Sequence, residues 1–344
     1  VARPDRGTTL IDVARAAGVS RQTVSNAINA PHLLRAETLA QVRSVIDRLG
    51  YQPNRSARSL RTRQSRLIGY CVPRPNPDRL GWVLDEFLHA VADAARGAGY
   101  HIVVFTPDSA QRELDSYATM LQTGGADGFL LTDITHRDRR PGWLRRRGVP
   151  FVSYGRLPAS AGPAWVDVDG AAGVAAAVEH LVGLGHRRIA FLGWPEGHRV
   201  GDDRADGWRS AMAAHRLAAT LRGYTDDTIT AAAEEAGRML DAARPPTAVI
   251  AVSDTVAVGA LRAARARGLA PGRDLSVVGF DDTPSAALLT PPLTSVSQPL
   301  QEAARLLVEM LVARLAGRRP ERRSVLLEPT LVVRGSTGPP PPGR

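Results

Sequence analysis

Residues 8–29 read Thr8-Thr-Leu-Ile-Asp-Val-Ala-Arg-Ala-Ala-Gly-Val-Ser-Arg-Gln-Thr-Val-Ser-Asn-Ala-Ile-Asn29, two short apolar-periodic segments joined by Ala17-Gly18-Val19-Ser20. Leu10, Val13, Ala14 and Ala17 recur at helical spacing, and Val24 and Ile28 form the answering stripe of the second segment. Gly18 can take a left-handed turn without a Cβ clash, and Ser20 is placed to cap the helix that follows. Two short helices crossed over such a turn predict a helix-turn-helix, a motif whose second helix enters a DNA major groove. Arg21, Gln22, Thr23, Ser25 and Asn26 are the exposed side chains of that helix. An arginine can take guanine O6 and N7, and a glutamine adenine N6 and N7. Thr9, Thr23, Ser25 and Asn29 read as phosphate contacts, which position a protein without specifying sequence.

The charge lies where such a motif needs it. Residues 1–66 hold 12 arginines against four acids, a net of +8 out of the whole chain's +10. The remaining residues are close to balanced, so the basic excess sits on the segment that would face phosphates. The chain has no lysine, and arginine abundance alone therefore carries less weight than this asymmetry. Cys71 is the only cysteine, which excludes an internal disulfide and fits a reducing, cytoplasmic setting. No apolar run approaches a membrane span, and the first residues have no signal-like apolar stretch.

Outward from the helix-turn-helix, residues 36–49 carry Leu39, Val42, Val45, Ile46 and Leu49 at helical spacing before Gly50, which completes a three-helix head over 1–53. Tyr51-Gln52-Pro53 breaks the run. The basic segment 54–65 is too short and too charged to hold a helix alone, and reads either as a solvated linker or as a hinge that folds on DNA. From Leu67 the pattern changes to alternating apolar strand runs and Ala/Leu-rich helical stretches, which predicts parallel sheets covered by helices on both faces. The strands are too many for one ordinary sheet, so 66–335 reads as two doubly wound lobes. Within it, 325–333 reads as one late strand. The Pro/Gly-rich residues 336–344 read as a disordered tail.

These segments together resemble the lactose-repressor/galactose-repressor family of bacterial transcription regulators. The carrying stretches are Thr9–Asn26, Leu49–Leu60, Glu179–Ala190 and Ser276–Asp282. The resemblance implies an α/β chain with an all-α helix-turn-helix head and hinge, then a two-lobed, doubly wound effector domain like periplasmic sugar-binding proteins. It implies that the hinge enters the minor groove, with Leu60 wedged between base pairs and Ala57 small enough for close hinge-to-hinge approach; such a wedge kinks the duplex. Ser20, Tyr51, Asn54 and Arg58 complete the expected DNA-binding set. Arg21, Gln22 and Asn26 match its base-reading positions.

For the small-molecule site, the resemblance carries over Arg204, in Arg204-Ala-Asp-Gly-Trp208, and Asp281, the first acid after Gly279-Phe280. An arginine and a carboxylate suit adjacent sugar hydroxyls. Placement near strand ends adds Asp254, Asp133, Arg156, Trp165 and Trp194, each tryptophan being either a platform for a sugar ring or a packing residue. The implied partners are double-stranded operator DNA, a small effector, expected to be a sugar, and a second copy in a homodimer. A purine-type corepressor is the alternative effector. No cofactor and no metal site are expected; His180 and His186 lack metal-ligand spacing and read as capping or packing residues. Gly-x-Gly-x-x-Gly, Gly-x-Ser-x-Gly and His-Glu-x-x-His are absent from the sequence, so no enzyme reading finds support. A transport-type sugar-binding protein would share the lobes but not the helix-turn-helix.

Overall fold

The computed structural model describes residues 8–51, 64–72, 74, 76–80, 82–107, 109, 112–157 and 164–342. The chain divides into two units, Val1–Ser65 and Arg66–Arg344.

In the first unit α1 (Leu10–Ala16), α2 (Arg21–Asn29) and α3 (Ala36–Leu49) enclose a small core of Val13, Val24, Val42, Val45 and Tyr51. α1 starts with a capping box: the Asp12 amide donates to Thr9 Oγ1, while Asp12 Oδ2 accepts from the Thr9 amide at 2.9 Å. Gly18 turns the chain at φ 61°, and Ser20 Oγ accepts from the Thr23 amide at 3.1 Å to cap α2. Gly50, at φ 58°, ends α3. Tyr51, expected on DNA, is instead 9% exposed and packs in this core, because the turn after Gly50 folds the chain back onto α3. A core this small leaves few residues to spare, since each buried valine contributes roughly 1.5–3 kcal/mol. The capping box itself is worth about 0.5–2 kcal/mol. Thr9→Ala is therefore expected to lower the head's unfolding free energy by about that amount without affecting the second unit. Amide exchange at α1–α3 would register it, and unchanged protection there would contradict the cap's role.

The second unit holds two six-stranded sheets, ordered β11-β5-β4-β3-β1-β2 and β12-β10-β9-β8-β6-β7. The first lobe begins with β1 (Leu67–Cys71), α4 (Trp82–Gly97), β2 (His101–Phe105), α5 (Glu113–Gln122), β3 (Gly128–Leu131), α6 (Arg140–Arg146), β4 (Phe151–Tyr154) and β5 (Trp165–Val168). The second contains α7 (Gly170–Gly183), β6 (Ile189–Gly193), α8 (Arg199–Ala214), β7 (Arg222–Tyr224), α9 (Ile229–Leu240), β8 (Ala248–Ala251), α10 (Asp254–Ala266), β9 (Ser276–Asp281), α11 (Pro284–Leu288) and β10 (Thr294–Ser297). The chain then returns: α12 (Leu300–Leu315) and β11 (Ser324–Leu327) join the first lobe, and β12 (Thr330–Val332) joins the second. The chain thus passes between lobes near 169, 299 and 329. Among the described strands all pairings are parallel except β10 with β12. Ile68, Tyr70, Leu130 and Val166 face a core shared with α4 and α12, while Cys71, Phe129 and Leu131 face another with α5 and α6. Helices thus cover both faces, as buried parallel strands require.

Two expectations change. The late strand at 325–333 is two strands in different sheets, divided at Glu328-Pro329, where proline removes a backbone donor and the chain crosses lobes. The 336–344 segment is not a loose tail through Gly338. Ser336 is fully buried, its hydroxyl donates to Val277 O at 2.6 Å, and the Gly338 amide donates to Ser276 Oγ at 3.0 Å. His186, buried between Thr247, Ser276 and the Gly338 carbonyl, ties the same segment down. Proline content suggested disorder, but these hydrogen bonds supply the partners that fix it. Among the described residues no helix is long and apolar enough to cross a membrane.

Candidate DNA interface and inter-lobe cleft

Arg21 and Gln22 are exposed at the start of α2, with Thr23, Ser25 and Asn26 half-buried behind them. Gln22 Nε2 donates to Asn26 Oδ1 at 2.9 Å, so these two amides are held as one unit across a helical turn. Asn29 Nδ2 donates to the Ser25 carbonyl at 2.8 Å. Thr9 donates its hydroxyl to Asp12 at 2.6 Å; its first task is the cap, and a phosphate would have to share that hydroxyl. Asn54, Ala57, Arg58 and Leu60 lie outside the described residues.

In the second unit, the carboxyl ends of the strands from both lobes face each other, the place where open α/β sheets bind ligands. α8 delivers Arg204 there. Its position is set by how closely α8 approaches α7: a Cβ on Gly207 would sit 2.4 Å from the Ala171 carbonyl oxygen, so only glycine lets the helices meet. Arg204 is 5% exposed. Its guanidinium donates to the Val252 carbonyl, stacks 3.5 Å from the Phe280 ring centroid, and approaches Asp281 Oδ1 at 3.7 Å. Asp281 closes β9 with φ 116°, and Asp282 follows at φ 51°. Two consecutive non-glycine residues in this region cost backbone energy, and such outliers gather at functional sites.

Gln298, in the crossover before α12, donates from Nε2 to Asp281 Oδ1 at 2.7 Å and accepts from the Tyr154 hydroxyl at 2.9 Å. Tyr154 ends β4 of the opposite lobe, its ring stacked on Phe87 at 4.7 Å. A continuous polar chain therefore runs from Arg204 through Asp281 and Gln298 to Tyr154, across the lobes. Trp194, just past β6, packs over Gly201 and sits edge-on to His198, and its indole N–H has no hydrogen-bond partner among the described residues. Arg204 Nε is likewise without one. Buried donors of this kind are costly unless something satisfies them.

Not every expected residue reaches this cluster. Trp165 stands at the amino end of β5, packed against the α5–α6 side of the first lobe, away from the carboxyl ends. The four-residue strand it opens, Trp165–Val168, was not among those expected from the sequence. Asp254 is fully buried inside the second lobe, accepting from the Thr283 amide, the Thr283 hydroxyl and the Ser295 hydroxyl at 2.8, 2.9 and 2.6 Å. Its carboxylate is saturated by these donors, so it holds α10, α11 and β10 together rather than facing the cleft. Arg156 reaches across the lobes: it pairs with Asp167 in its own lobe at 2.8 Å and with Asp203 of α8 at 2.6 Å. Asp133 is exposed, with φ 54°, and lies 4.0 Å from His198 of the second lobe.

Further polar contacts span the lobes. His136 Nε2 lies 2.8 Å from Asp202, and Arg79 pairs with Asp227, which accepts from Ser253 at 2.6 Å. Gln298 and Tyr154 were not expected from the sequence. The Gln298-Pro299 step before a helix marks the crossover and was the available signal for Gln298; a tyrosine closing an apolar strand gives none.

Burial sets the protonation of this cluster. It pulls Arg204 below the usual arginine value and pushes Asp281 up to about 8, with Asp254 and Asp227 adding to the rise and Arg204 only partly offsetting it. Burial also raises Asp254 to about 6, and pushes the Tyr154 phenol up. A free aspartate ionises near pH 4, so the folded chain holds more protons than the unfolded chain above that pH. The stability these groups contribute is full below about pH 4 and is lost as pH rises, through 6 for Asp254 and through 8 for Asp281. In denaturant titrations between pH 6 and 9, Asp281→Asn is expected to flatten the wild-type decline. A decline equally steep in the variant would contradict the raised Asp281 value.

Residues 9–54 match the family described as bacterial regulatory proteins, lacI family, and residues 178–337 match a periplasmic binding protein-like domain. The HTH-type transcriptional regulator CelR of Thermobifida fusca is 35% identical over 342 residues, covering 96% of this chain and 98% of that protein. The chain belongs to the lacI family. As a member of the lacI family it is a DNA-binding, ligand-responsive transcriptional regulator with a helix-turn-helix head. Among solved structures, the transcriptional regulator CelR–cellobiose complex superposes with a TM-score of 0.73 at 33% identity, covering 96% of this chain and 99% of that one. The lac repressor dimer bound to operator and the anti-inducer ONPF gives a TM-score of 0.83 at 28% identity, covering 97% and 100%.

Proposed function

We propose that this lacI-family chain is a repressor that binds a near-palindromic operator as a homodimer and is released by a small neutral sugar held between the lobes. The observation that carries the sugar reading is the buried Arg204–Asp281–Gln298–Tyr154 chain. It offers a guanidinium, a carboxyl group, an amide and a phenol within one cleft, which matches the alternating donors and acceptors of adjacent hydroxyls. Trp194, with a free indole N–H at the same end of the second sheet, supplies an apolar wall and one more donor. The relatedness to a cellobiose-bound regulator makes a glucoside or short oligosaccharide the first class to test.

Two heads on a two-fold dimer would read two half-sites, since protein symmetry is mirrored in the DNA. Arg21, Gln22 and Asn26 would choose the bases; Asn54, Ala57, Arg58 and Leu60 would form the hinge. A sugar that binds one arrangement of the lobes better than the other shifts the population toward it. The contacts that cross the cleft, Arg156–Asp203, His136–Asp202 and Arg79–Asp227, are the ones a change in lobe angle would break or strengthen. A coupling of about 1–3 kcal/mol, or 5–150-fold in operator affinity, is ordinary for such linkage.

Base reading is tested separately from ligand response. Arg21→Ala is expected to weaken specific operator binding by about 1–3 kcal/mol, roughly 5–150-fold, and to relax preference at one base pair per half-site. Binding measured against a panel of single-base operator variants checks this. A uniform loss at every variant, with preference intact, would reassign Arg21 to the phosphates.

A further inference from the structure

The first lobe carries a second pocket at the opposite end of its sheet from Arg204 and Asp281. Its volume is about 520 Å3. Pro150 precedes β4, Ala164 precedes β5 and Arg323 precedes β11, so the pocket opens where these three parallel strands begin. Five arginines line it: Arg145 from α6, Arg314 from α12, Arg318 and Arg319 just beyond, and Arg323. No acidic side chain is among its described lining residues. The turn at Gly317, φ 69°, with the Arg318 amide donating to Ala313 O at 2.8 Å, brings Arg318 and Arg319 back to the pocket.

Arg314 is the inner member. Its Nε is buried with no hydrogen-bond partner among the described residues, its guanidinium lies 5.6 Å from the Phe151 ring centroid, and burial pulls its proton affinity below the usual arginine value. The ordinary explanation for arginines here is favourable placement at helix carboxyl termini. α6 and α12 both end at this rim, and each terminus carries about half a negative charge. Arg145 has a partner of its own, and the two termini together offset roughly one of the other four guanidinium charges. A concave site with that much uncompensated positive charge and a buried, unsatisfied donor favours an anion. Guanidinium forks match phosphate oxygens in pairs. The volume is that of a small-molecule site, between about 300 and 1,000 Å3, rather than of a surface track for a duplex.

We propose that this pocket binds a small, multiply charged phosphate-type anion, a phosphate ester or a polyphosphate, at a site separate from the inter-lobe cleft. The test uses the full-length protein and inorganic pyrophosphate, with sodium chloride of matched ionic strength as control. Saturable binding by calorimetry is expected, with a thermal midpoint raised by about 3–6 °C near 100 times Kd. The triple variant Arg318→Gln/Arg319→Gln/Arg323→Gln is expected to bind at least about tenfold more weakly, each lost charge-assisted contact contributing. Arg314→Met, which keeps the packing of the stem, should weaken binding independently. Arg204→Ala should leave pyrophosphate binding unchanged. Equal responses in wild type and triple variant, or no response beyond the chloride control, overturn the proposal. The salt dependence of operator binding separates a free anion from a DNA phosphate: an unchanged slope in the triple variant supports the free anion. A slope reduced by about 0.9 per arginine removed assigns these groups to the DNA backbone and overturns it.

Discussion

Arg204→Ala is expected to weaken effector binding by about 100-fold or more while operator affinity without effector stays within about twofold of wild type. The magnitude follows from what the side chain does. A buried guanidinium facing a ligand supplies charge-assisted hydrogen bonds worth about 1.5–3 kcal/mol each. Its removal also leaves Asp281 without the opposite charge that partly offsets its burial. About 3 kcal/mol is somewhat over two factors of ten in Kd. The helix-turn-helix is in the other unit and keeps its own core, so DNA reading has no reason to change. Calorimetry with a panel of sugars, paired with operator titration, gives both numbers. Loss of operator affinity alongside effector binding would mean that Arg204 serves folding rather than recognition; Arg204→Lys, which keeps the charge but loses the fork, separates these outcomes.

Asp254→Ala is expected to be the most destabilising single change among the residues considered, by about 3–5 kcal/mol. The side chain is fully buried and accepts from three donors, the Thr283 amide and the hydroxyls of Thr283 and Ser295. Alanine strands all three in a place that water does not reach, and each unsatisfied buried polar group costs about 1–3 kcal/mol. Gly279 shows how closely the site is packed: a Cβ there would lie 2.2 Å from Asp254 Oδ1. For a unit of this size the loss corresponds to a fall in Tm of roughly 5–9 °C. A calorimetric scan that shows a shift below about 2 °C would mean that the three donors find other partners. Because Asp254 joins α10, α11 and β10, the damage should appear in the second lobe and leave α1–α3 folded.

The contrast between these two residues shows what the sequence made legible. Both are charged side chains named for the small-molecule site, Arg204 by motif resemblance and Asp254 only by its placement just after a strand. Arg204 and Asp281 were named because motif resemblance carries residue identity and position together, and the fold brings the two side chains to one cluster. Asp254 could not be separated from them, since what distinguishes it is the presence of Thr283 and Ser295, residues 29 and 41 positions away. Trp165 was misplaced because the strand it opens is only four residues long and half-buried, which leaves no apolar run to mark it. The doubly wound lobes were readable from strand and helix alternation, and the head from its 3.6-residue apolar period. The crossovers were not, because a lobe change at Glu328-Pro329 looks in sequence like a continuous strand with one proline in it. Tyr154 and Gln298 meet only because the chain crosses lobes near 169 and returns near 299.

The account rests on one coupling, between a sugar in the cleft and the helix-turn-helix on its operator. Fluorescence anisotropy of a labelled operator, titrated with the full-length protein at fixed salt with and without saturating cellobiose, measures it directly. The account predicts an operator Kd at least about fivefold weaker with the sugar, and no change for Arg204→Ala. An operator Kd that is unchanged or tighter with every sugar that binds the cleft would contradict it.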